Sequence, residues 1–276
     1  MAAAGSGTGS APASGDGTVG KALDVLDQIA AFGRPVRFAE LQAGSRFPKA
    51  TLYRFVQTLT NQGMLTFDPD RHTYALGVRL VRLAHAAWQQ SSLAPLARPH
   101  IDRLAAEVGE TVHLAQLDHA QVLYVDKRDP ERPVAMFSQA GKVGPAYCTG
   151  VGKAMMAWLD EDALARVIPQ QSFHRFTPST MTTEAQLRAE LLAIRARGFA
   201  YDREEHEPGI ICVALPILSH TGRVLGGLSV TTSTARRSLS DIEALVPRIR
   251  RTAQAISAEA DTWHFPEETE PRTRTA

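Results

Sequence analysis

The chain has 276 residues, 44% of them hydrophobic and 21% charged, which is enough for two domains that each bury a core. No run approaches the roughly 18 consecutive apolar residues of a membrane-spanning helix, so we expect no membrane association. The net charge is +1, but residues 18–90 carry nine Lys/Arg against five Asp/Glu, a local charge of +4. This asymmetry is typical of a chain whose first part meets a polyanion.

Both ends of the chain have the composition of tails. Residues 1–17 are rich in Gly, Ser and Ala and lack the basic and apolar regions of a signal peptide, so we expect a disordered tail and a cytoplasmic protein. Residues 263–276 are expected to form a flexible C-terminal tail. The two cysteines, Cys148 and Cys212, are far apart in sequence, which favours reduced thiols over a disulfide or a cysteine zinc site.

Three short helices and a hairpin are predicted in residues 18–76. Apolar residues recur every three to four positions in TVGKALDVLDQIAA, and a second helix is predicted from Phe38 to about Ala43. The third helix lies in PKATLYRFVQTLTN, between a proline and a glycine. The segment MLTFDPDRHTYALG alternates around a turn at residues 68–70, which predicts a two-stranded wing. This order predicts a winged helix-turn-helix.

The third helix has one apolar face and one polar face without acidic residues. Arginine and glutamine on the polar face suit the edges of guanine and adenine in a DNA major groove. The predicted DNA-binding residues are Arg46, Lys49, Ala50, Thr51, Tyr53, Arg54, Gln57 and Thr58, with Arg71 and His72 on the wing. The alternative is a small helical domain that packs on a partner protein.

A linker helix is predicted over residues 77–90, and an α+β domain over residues 91–262. Helical patterns occur in LAPLARPHIDRLAAEVG, GKAMMAWL and TEAQLRAELLAIRARG, and a final long helix is predicted from about Leu239 to Glu259. Strands are predicted in TVHLAQL, QVLYVDKR, IICVALPIL and VLGGLSVTT, with the apolar segment VAMFSQ after the second of them. Mainly antiparallel strands covered by helices define the α+β class.

Several sequence segments between Thr18 and Glu259 together resemble those of one protein family. They are KALDVLDQIAAFG, PKATLYRFVQTLTNQGML, YALGVRL, YVDKR, GPAYCTGVGKAMMAWL, GFAYDREEHEPGIICVALPI and GGLSVT. In this order and spacing they resemble the IclR family of bacterial transcriptional regulators. The resemblance implies an N-terminal winged helix-turn-helix, a linker helix and a C-terminal GAF-like domain that binds a small metabolite, often an organic acid.

The same resemblance implies a set of effector-binding residues. They are Met136, Gly150, Val151, Asp202, Cys212, Ser229 and Thr231. Ser229 and Thr231 are two positions apart on a predicted strand, so their side chains share one face. An ionised Asp202 would repel a carboxylate, so this residue should bond a ligand hydroxyl or have a raised pKa. We therefore expect a hydroxy or keto acid as the effector.

The segment DREEHEPGIIC, residues 202–212, also admits a metal site or a catalytic centre. However, His206 and Cys212 lack the short helical spacing of a zinc motif, and nothing marks either as activated. We therefore expect no metal, no cofactor and no catalytic residue. The three glutamates of the segment, Glu204, Glu205 and Glu207, are expected to form a solvated loop.

The patterns predict a DNA-binding regulator, and the resemblance implies a repressor of a catabolic operon controlled by a small organic acid. One winged helix reads few base pairs, so we expect a homodimer or a dimer of dimers on an inverted-repeat operator. The first helix and the linker are the expected contact surfaces, because Val81 and Trp88 would otherwise leave apolar area exposed. The alternatives are an enzyme whose second domain is catalytic, or a ligand sensor that acts through protein partners.

Overall fold

The structure, a computed structural model, describes residues 17–91 and 93–260. The described residues divide into two compact units between Ala87 and Trp88, inside the helix predicted as the linker. The predicted C-terminal tail, residues 263–276, and all but the last residue of the predicted N-terminal tail, residues 1–17, lie outside the described residues. Within the described residues, no helix has both the length and the apolar character needed to cross a membrane.

The first unit contains three helices, a small sheet and most of a fourth helix. In chain order the elements are α1 (Thr18–Ala31), β1 (Val36–Arg37), α2 (Phe38–Ala43), α3 (Lys49–Asn61), β2 (Leu65–Asp68), β3 (Thr73–Leu76) and α4 (Val78–Ser91). The strands are antiparallel in the order β1-β3-β2. The winged helix-turn-helix is therefore confirmed. Strand β1 was not predicted, because two residues are too few to show an alternating pattern.

The core of the first unit forms where α1 and α3 meet the wing. Each helix contributes one apolar face, as its spacing predicts, and the sheet contributes the rest. The buried residues are Val25, Leu26, Ile29, Val36, Leu41, Leu52, Phe55, Val56, Leu59, Leu65 and Tyr74. In addition, the Gln28 side-chain amide donates to the Leu41 carbonyl oxygen at 2.8 Å, which ties α1 to α2. The opposite face of α3 is thereby left free.

The second unit is built on one six-stranded antiparallel sheet. Its strands are β4 (Thr111–Asp118), β5 (Gln121–Arg128), β6 (Val143–Pro145), β7 (Ala200–Arg203), β8 (Ile210–Leu218) and β9 (Val224–Ser233). They lie in the order β6-β5-β4-β9-β8-β7. The helices are α5 (Ala94–Val108), α6 (Gly150–Met156), α7 (Glu161–Val167), α8 (Glu184–Arg197), α9 (Leu239–Glu243) and α10 (Val246–Ala260), and a 3-10 turn covers Ile168–Gln170. The predicted α+β class is confirmed.

Helices cover both faces of this sheet. On one face, α5 and α10 pack against the alternate residues Val112, Leu114, Val213 and Val230. On the other face, α6 and α8 pack against the intervening positions, such as Ala214. Successive side chains of each strand point to opposite faces of the sheet, so alternate residues pack into two separate cores.

One local prediction in the second unit is wrong. The single final helix is divided into α9 and α10, with a turn at residues 244–245. Pro247 explains the division, because proline has no N–H to donate and its ring clashes with the carbonyl four residues earlier, at Glu243. The apolar segment VAMFSQ has no regular secondary structure, and the edge strand is β6.

Candidate functional site

The polar face of α3 is free in the first unit. Ala50, Arg54 and Thr58 are exposed, whereas Thr51 and Gln57 are half-buried, with the Gln57 amide hydrogen bonded to the Tyr74 side chain. Because α3 contains no acidic residue, this face presents donors and one guanidinium without competing negative charge. Such a surface can donate hydrogen bonds to base edges and phosphates.

The residues flanking α3 differ in how free they are. Lys49 is exposed at the start of the helix, and Tyr53 is 51% exposed with its ring edge against Phe38. Arg46 is exposed too, but it forms an ion pair with Asp24 of α1. The sequence alone does not predict this pair. A phosphate contact from Arg46 would have to compete with Asp24 for the guanidinium group.

The turn of the wing is held by one aspartate. Asp68 Oδ1 accepts hydrogen bonds from the backbone N–H groups of Asp70, at 2.9 Å, and Arg71, at 3.1 Å. This is the side-chain turn that aspartate commonly makes two or three residues ahead. His72 has a φ of 51° and completes the reversal. The turn holds Arg71 and His72 exposed at the tip of the wing.

The second unit contains a small buried cavity on the sheet face that α6 covers. Strand pairing builds its floor, since Asp202 of β7 pairs with Cys212 of β8, which pairs with Thr231 of β9. Ser229 lies in the next row, opposite His113 of β4. The seven residues that the resemblance assigned to the effector all line this cavity: Met136, Gly150, Val151, Asp202, Cys212, Ser229 and Thr231.

The start of α6 approaches the floor at Gly150. A Cβ atom on this glycine would lie 2.3 Å from Cys212 Sγ, closer than any real contact. Thr149, the residue before the helix, is extended, and its hydroxyl donates to the Pro145 carbonyl oxygen at 2.8 Å. Glycine is therefore required for the backbone of α6 to form the wall opposite Cys212.

A hydrogen-bonded cluster around His113 forms one side of the cavity. His113 Nδ1 lies 3.2 Å from Thr231 Oγ1 and 3.3 Å from Ser229 Oγ, and Nε2 lies 2.7 Å from Ser138 Oγ. Burial, followed by the charge of Lys127, lowers the pKa of His113 to about 3. The imidazole is therefore neutral and fixed by hydroxyl partners on both nitrogens.

Sequence reasoning missed about half of the cavity wall. The additional lining residues are His113, Tyr124, Phe137, Ser138, Thr149, His206, Glu207 and Ile210. One available signal was His113 itself, a polar residue between the apolar Val112 and Leu114. Its partner Ser229 is 116 positions away, however, so nothing local shows what the imidazole contacts.

A loop segment, Met136–Ser138, closes the cavity, and we call it the roof. The Phe137 N–H donates to Glu207 Oε1 at 2.8 Å, and the Phe137 ring packs edge-on against His206 with centroids 5.0 Å apart. The cavity beneath it has a volume of about 30 Å³. This space suits little more than a water molecule, so a larger ligand would require the surrounding segments to move.

Asp202 and Glu205 are both buried beside the cavity. The Asp202 side chain accepts the Glu205 N–H at 2.8 Å, and Lys153 Nζ lies 2.5 Å from both Glu205 carboxylate oxygens. The prediction that Glu205 belongs to a solvated loop is wrong, since it is only 4% exposed. A lysine buried in α6 compensates the charge that would otherwise keep Glu205 in water. Glu204 and Glu207 are half-buried.

The site lacks the features of nucleophilic catalysis. Burial raises the pKa of the Cys212 thiol far above its usual value, which disfavours the reactive thiolate. The low pKa of His113 makes it a weak base for the nearby Ser138 hydroxyl. Among the described residues, no group of three His, Cys, Asp or Glu side chains is placed to hold a metal ion.

A winged helix-turn-helix in the same chain as a buried cavity lined by polar groups is typical of ligand-responsive DNA-binding regulators. The sequence model of the IclR helix-turn-helix domain matches residues 18–69. The model of the bacterial transcriptional regulator IclR C-terminal domain matches residues 85–258. The chain therefore belongs to the IclR family of bacterial transcriptional regulators.

Individual relatives agree with this assignment along most of their length. The chain is 30% identical over 251 residues to the HTH-type transcriptional regulator KdgR of Escherichia coli, covering 90% of this chain and 95% of KdgR. It is 28% identical to the Thermotoga maritima IclR structure, with a TM-score of 0.72 over 88% of this chain and 98% of that chain.

A third likeness is to an IclR homologue from Microbacterium hydrocarbonoxydans, crystallised with 4-hydroxybenzoate. The identity is 22% and the TM-score 0.77, over 89% of this chain and 100% of that one, which shows a shared fold. The family consists of regulators rather than enzymes.

Proposed function

We propose that this chain is a repressor of a catabolic operon, and that a small hydroxy or keto acid bound in the cavity changes its affinity for the operator. The observation that carries the proposal is the convergence of Asp202, Cys212, Ser229, Thr231 and the Gly150 backbone on one buried cavity. Polar groups that converge on one buried cavity can fix the orientation of a small ligand. The 4-hydroxybenzoate bound by the Microbacterium homologue, itself a hydroxy acid, supports this ligand class.

The test of the effector is operator release. Fluorescence anisotropy of a labelled operator duplex is measured while keto acids, hydroxy acids and their uncharged amides are added to the full chain. We expect at least one acid to shift the operator affinity, because an effector acts only through its different affinities for the DNA-competent and DNA-incompetent states. Turnover of the acid during the titration would favour the enzyme alternative instead.

We propose that α3 enters the major groove of the operator in the cytoplasm. Arg54, Thr58 and Ala50 would face base edges, because they are exposed on the polar side of the helix. Thr51 and Gln57, which are half-buried on the same side, would contact bases at the edge of this surface. The helix would be positioned by phosphate contacts from five surrounding residues: Arg46, Lys49, Tyr53, Arg71 and His72. The ion pair of Arg46 with Asp24 makes Arg46 the weakest contributor among these.

Arg54→Ala should weaken operator binding by about 1–3 kcal/mol, because it removes a base contact and relaxes the preference at one position. Lys49→Ala is the matched control, since Lys49 is equally exposed but lies at the helix start, where phosphates are expected. It should weaken binding to operator and scrambled duplexes alike and reduce the salt dependence. Equal losses on both duplexes for Arg54→Ala would contradict base reading.

We further propose a homodimer or a dimer of dimers, joined through α1 and α4 and reading an inverted repeat. These two helices carry five exposed apolar side chains: Val19, Leu23, Val78, Val81 and Leu83. Trp88 does not belong to this surface, because it packs on the core of the second unit beneath the Arg98 guanidinium. Exposed apolar patches of this kind favour protein contacts, and light scattering gives the mass directly.

A further inference from the structure

Two buried carboxyl groups share one buried ammonium group beside the cavity. Asp202 is 7% exposed and Glu205 is 4% exposed, while Lys153 is completely buried. The Lys153 ammonium contacts both oxygens of Glu205 at 2.5 Å. Its charge is therefore engaged by Glu205, and Asp202 is left without a cation of its own. With both carboxyl groups ionised, the three residues would carry a net negative charge in the interior.

The contacts of Asp202 do not compensate a full negative charge. Its Oδ1 accepts one backbone N–H, from Glu205, at 2.8 Å, and within the described part of the chain it forms no ion pair. Burial and the neighbouring Glu205 raise the pKa of Asp202 from 3.8 to about 7, against the opposing effect of Lys153. Uncompensated buried carboxyls commonly respond in this way, by keeping the proton.

The cavity in front of Asp202 offers an anion little positive charge. Among the described residues that line it, none is a lysine or an arginine. His113 is neutral, as its low pKa requires, and His206 lies 3.8 Å from the Glu207 carboxylate. The titratable or charged groups around Asp202 are Glu205, His206 and Glu207 after β7, Cys212 on β8, His113 on β4, Tyr124 on β5, Cys148 before α6 and Lys153 on α6.

An organic acid anion would therefore add negative charge to a space that already disfavours it. We propose that the cavity binds an organic acid anion together with one proton, which is held on the Asp202 carboxyl group and lets that group donate a hydrogen bond to the ligand. The inference rests on the proposed function, since it concerns the same effector site. The only bond that forms and breaks is the O–H bond of the Asp202 carboxyl group, because one anion and one proton enter and the same two leave.

The full chain is tested by calorimetry with pyruvate, gluconate and 4-hydroxybenzoate, and with their uncharged amides. The affinity for an acid should be nearly constant below the pH at which Asp202 loses its proton and should fall about tenfold per pH unit above it. Buffers of different ionisation enthalpy should reveal uptake of about one proton per acid on the alkaline side. The amides should bind without this dependence.

Asp202→Asn mimics the protonated carboxyl group and should remove the pH dependence of acid binding. Asp162→Asn, an exposed change at the start of α7, is the matched control and should keep it. Acid binding that ignores pH in the wild-type chain overturns this inference alone. Failure of every acid to bind or to release the operator overturns the proposed acid effector, and this inference with it.

A second measurement needs no ligand. Between 3.8 and about 7, Asp202 is protonated in the folded chain but ionised in the unfolded chain. The wild-type chain should therefore lose stability relative to Asp202→Asn as the pH rises through this window, and the difference should level off above it. Thermal unfolding of both chains across this range gives the comparison. A constant difference overturns the placement of the proton on Asp202.

Discussion

Lys153→Ala should lower the free energy of unfolding of the second unit by about 3–5 kcal/mol, because it leaves a buried carboxylate without its partner. Lys153 is completely buried in α6, and its ammonium contacts both oxygens of Glu205. Neither group can reach water without moving α6 or the chain after β7. Chemical denaturation of the full chain, followed by the fluorescence of Trp158 in this unit, measures the loss.

Two further variants identify the cause of that loss of stability. The double change Lys153→Met with Glu205→Leu should recover much of the stability, because an apolar pair of similar size needs no charge compensation. Arg188→Ala is the control, since Arg188 forms exposed ion pairs with Glu161 and Glu184, and its removal should matter much less. Equal losses for Lys153→Ala and Arg188→Ala would mean that the buried pair contributes no more than a surface pair.

Gly150→Ala should abolish the response to the acid. The new methyl group would lie 2.3 Å from Cys212 Sγ, so α6 must retreat or the thiol must fill the cavity. Forcing an extra carbon into such a contact typically costs about 1–3 kcal/mol. Operator binding without the acid should persist, because α3 is part of the other unit. Anisotropy with and without the acid measures both properties in one titration.

A second substitution, at Cys212, should reverse much of the effect of Gly150→Ala. The next nearest atom to the new methyl is the Ala214 Cβ at 3.4 Å, an ordinary contact, so Cys212 is the main obstacle. Adding Cys212→Ala to Gly150→Ala should therefore restore much of the stability, and the double-mutant cycle should show strong coupling. Additive effects of the two changes would show that the thiol and the α6 backbone do not meet in solution.

The sequence predicts those parts of the fold whose pattern lies within one element. The buried residues Leu52 and Leu59 and the exposed Arg54 follow from the helical period of α3 alone. The strands β8 and β9 are equally easy to predict from the sequence, because a turn separates two apolar segments. Pro247 is also present in the sequence, but the helical pattern that continues on both sides of it predicts a single helix.

The candidate site is different, because its parts come from distant positions. Lys153 and Glu205 are 52 residues apart, and Glu205 looks like a surface glutamate until its partner is known. His113 meets Ser229 only because β4 and β9 are neighbours in the sheet. The resemblance to a family supplied Asp202 and Cys212, and strand pairing explains why they lie together. Their role in binding an effector remains a prediction.

The roof has a consequence for the timing of the response. If the proposed acid binds beneath Met136–Ser138, its entry and its exit would both require this segment to move, and the hydrogen bond from the Phe137 N–H to Glu207 holds the segment in place. Weakening that hydrogen bond equally in the empty and the occupied cavity would speed both directions and leave their ratio unchanged. The segment would then set how quickly the regulator follows a changing supply of the acid, while the groups inside the cavity would set the concentration at which it responds.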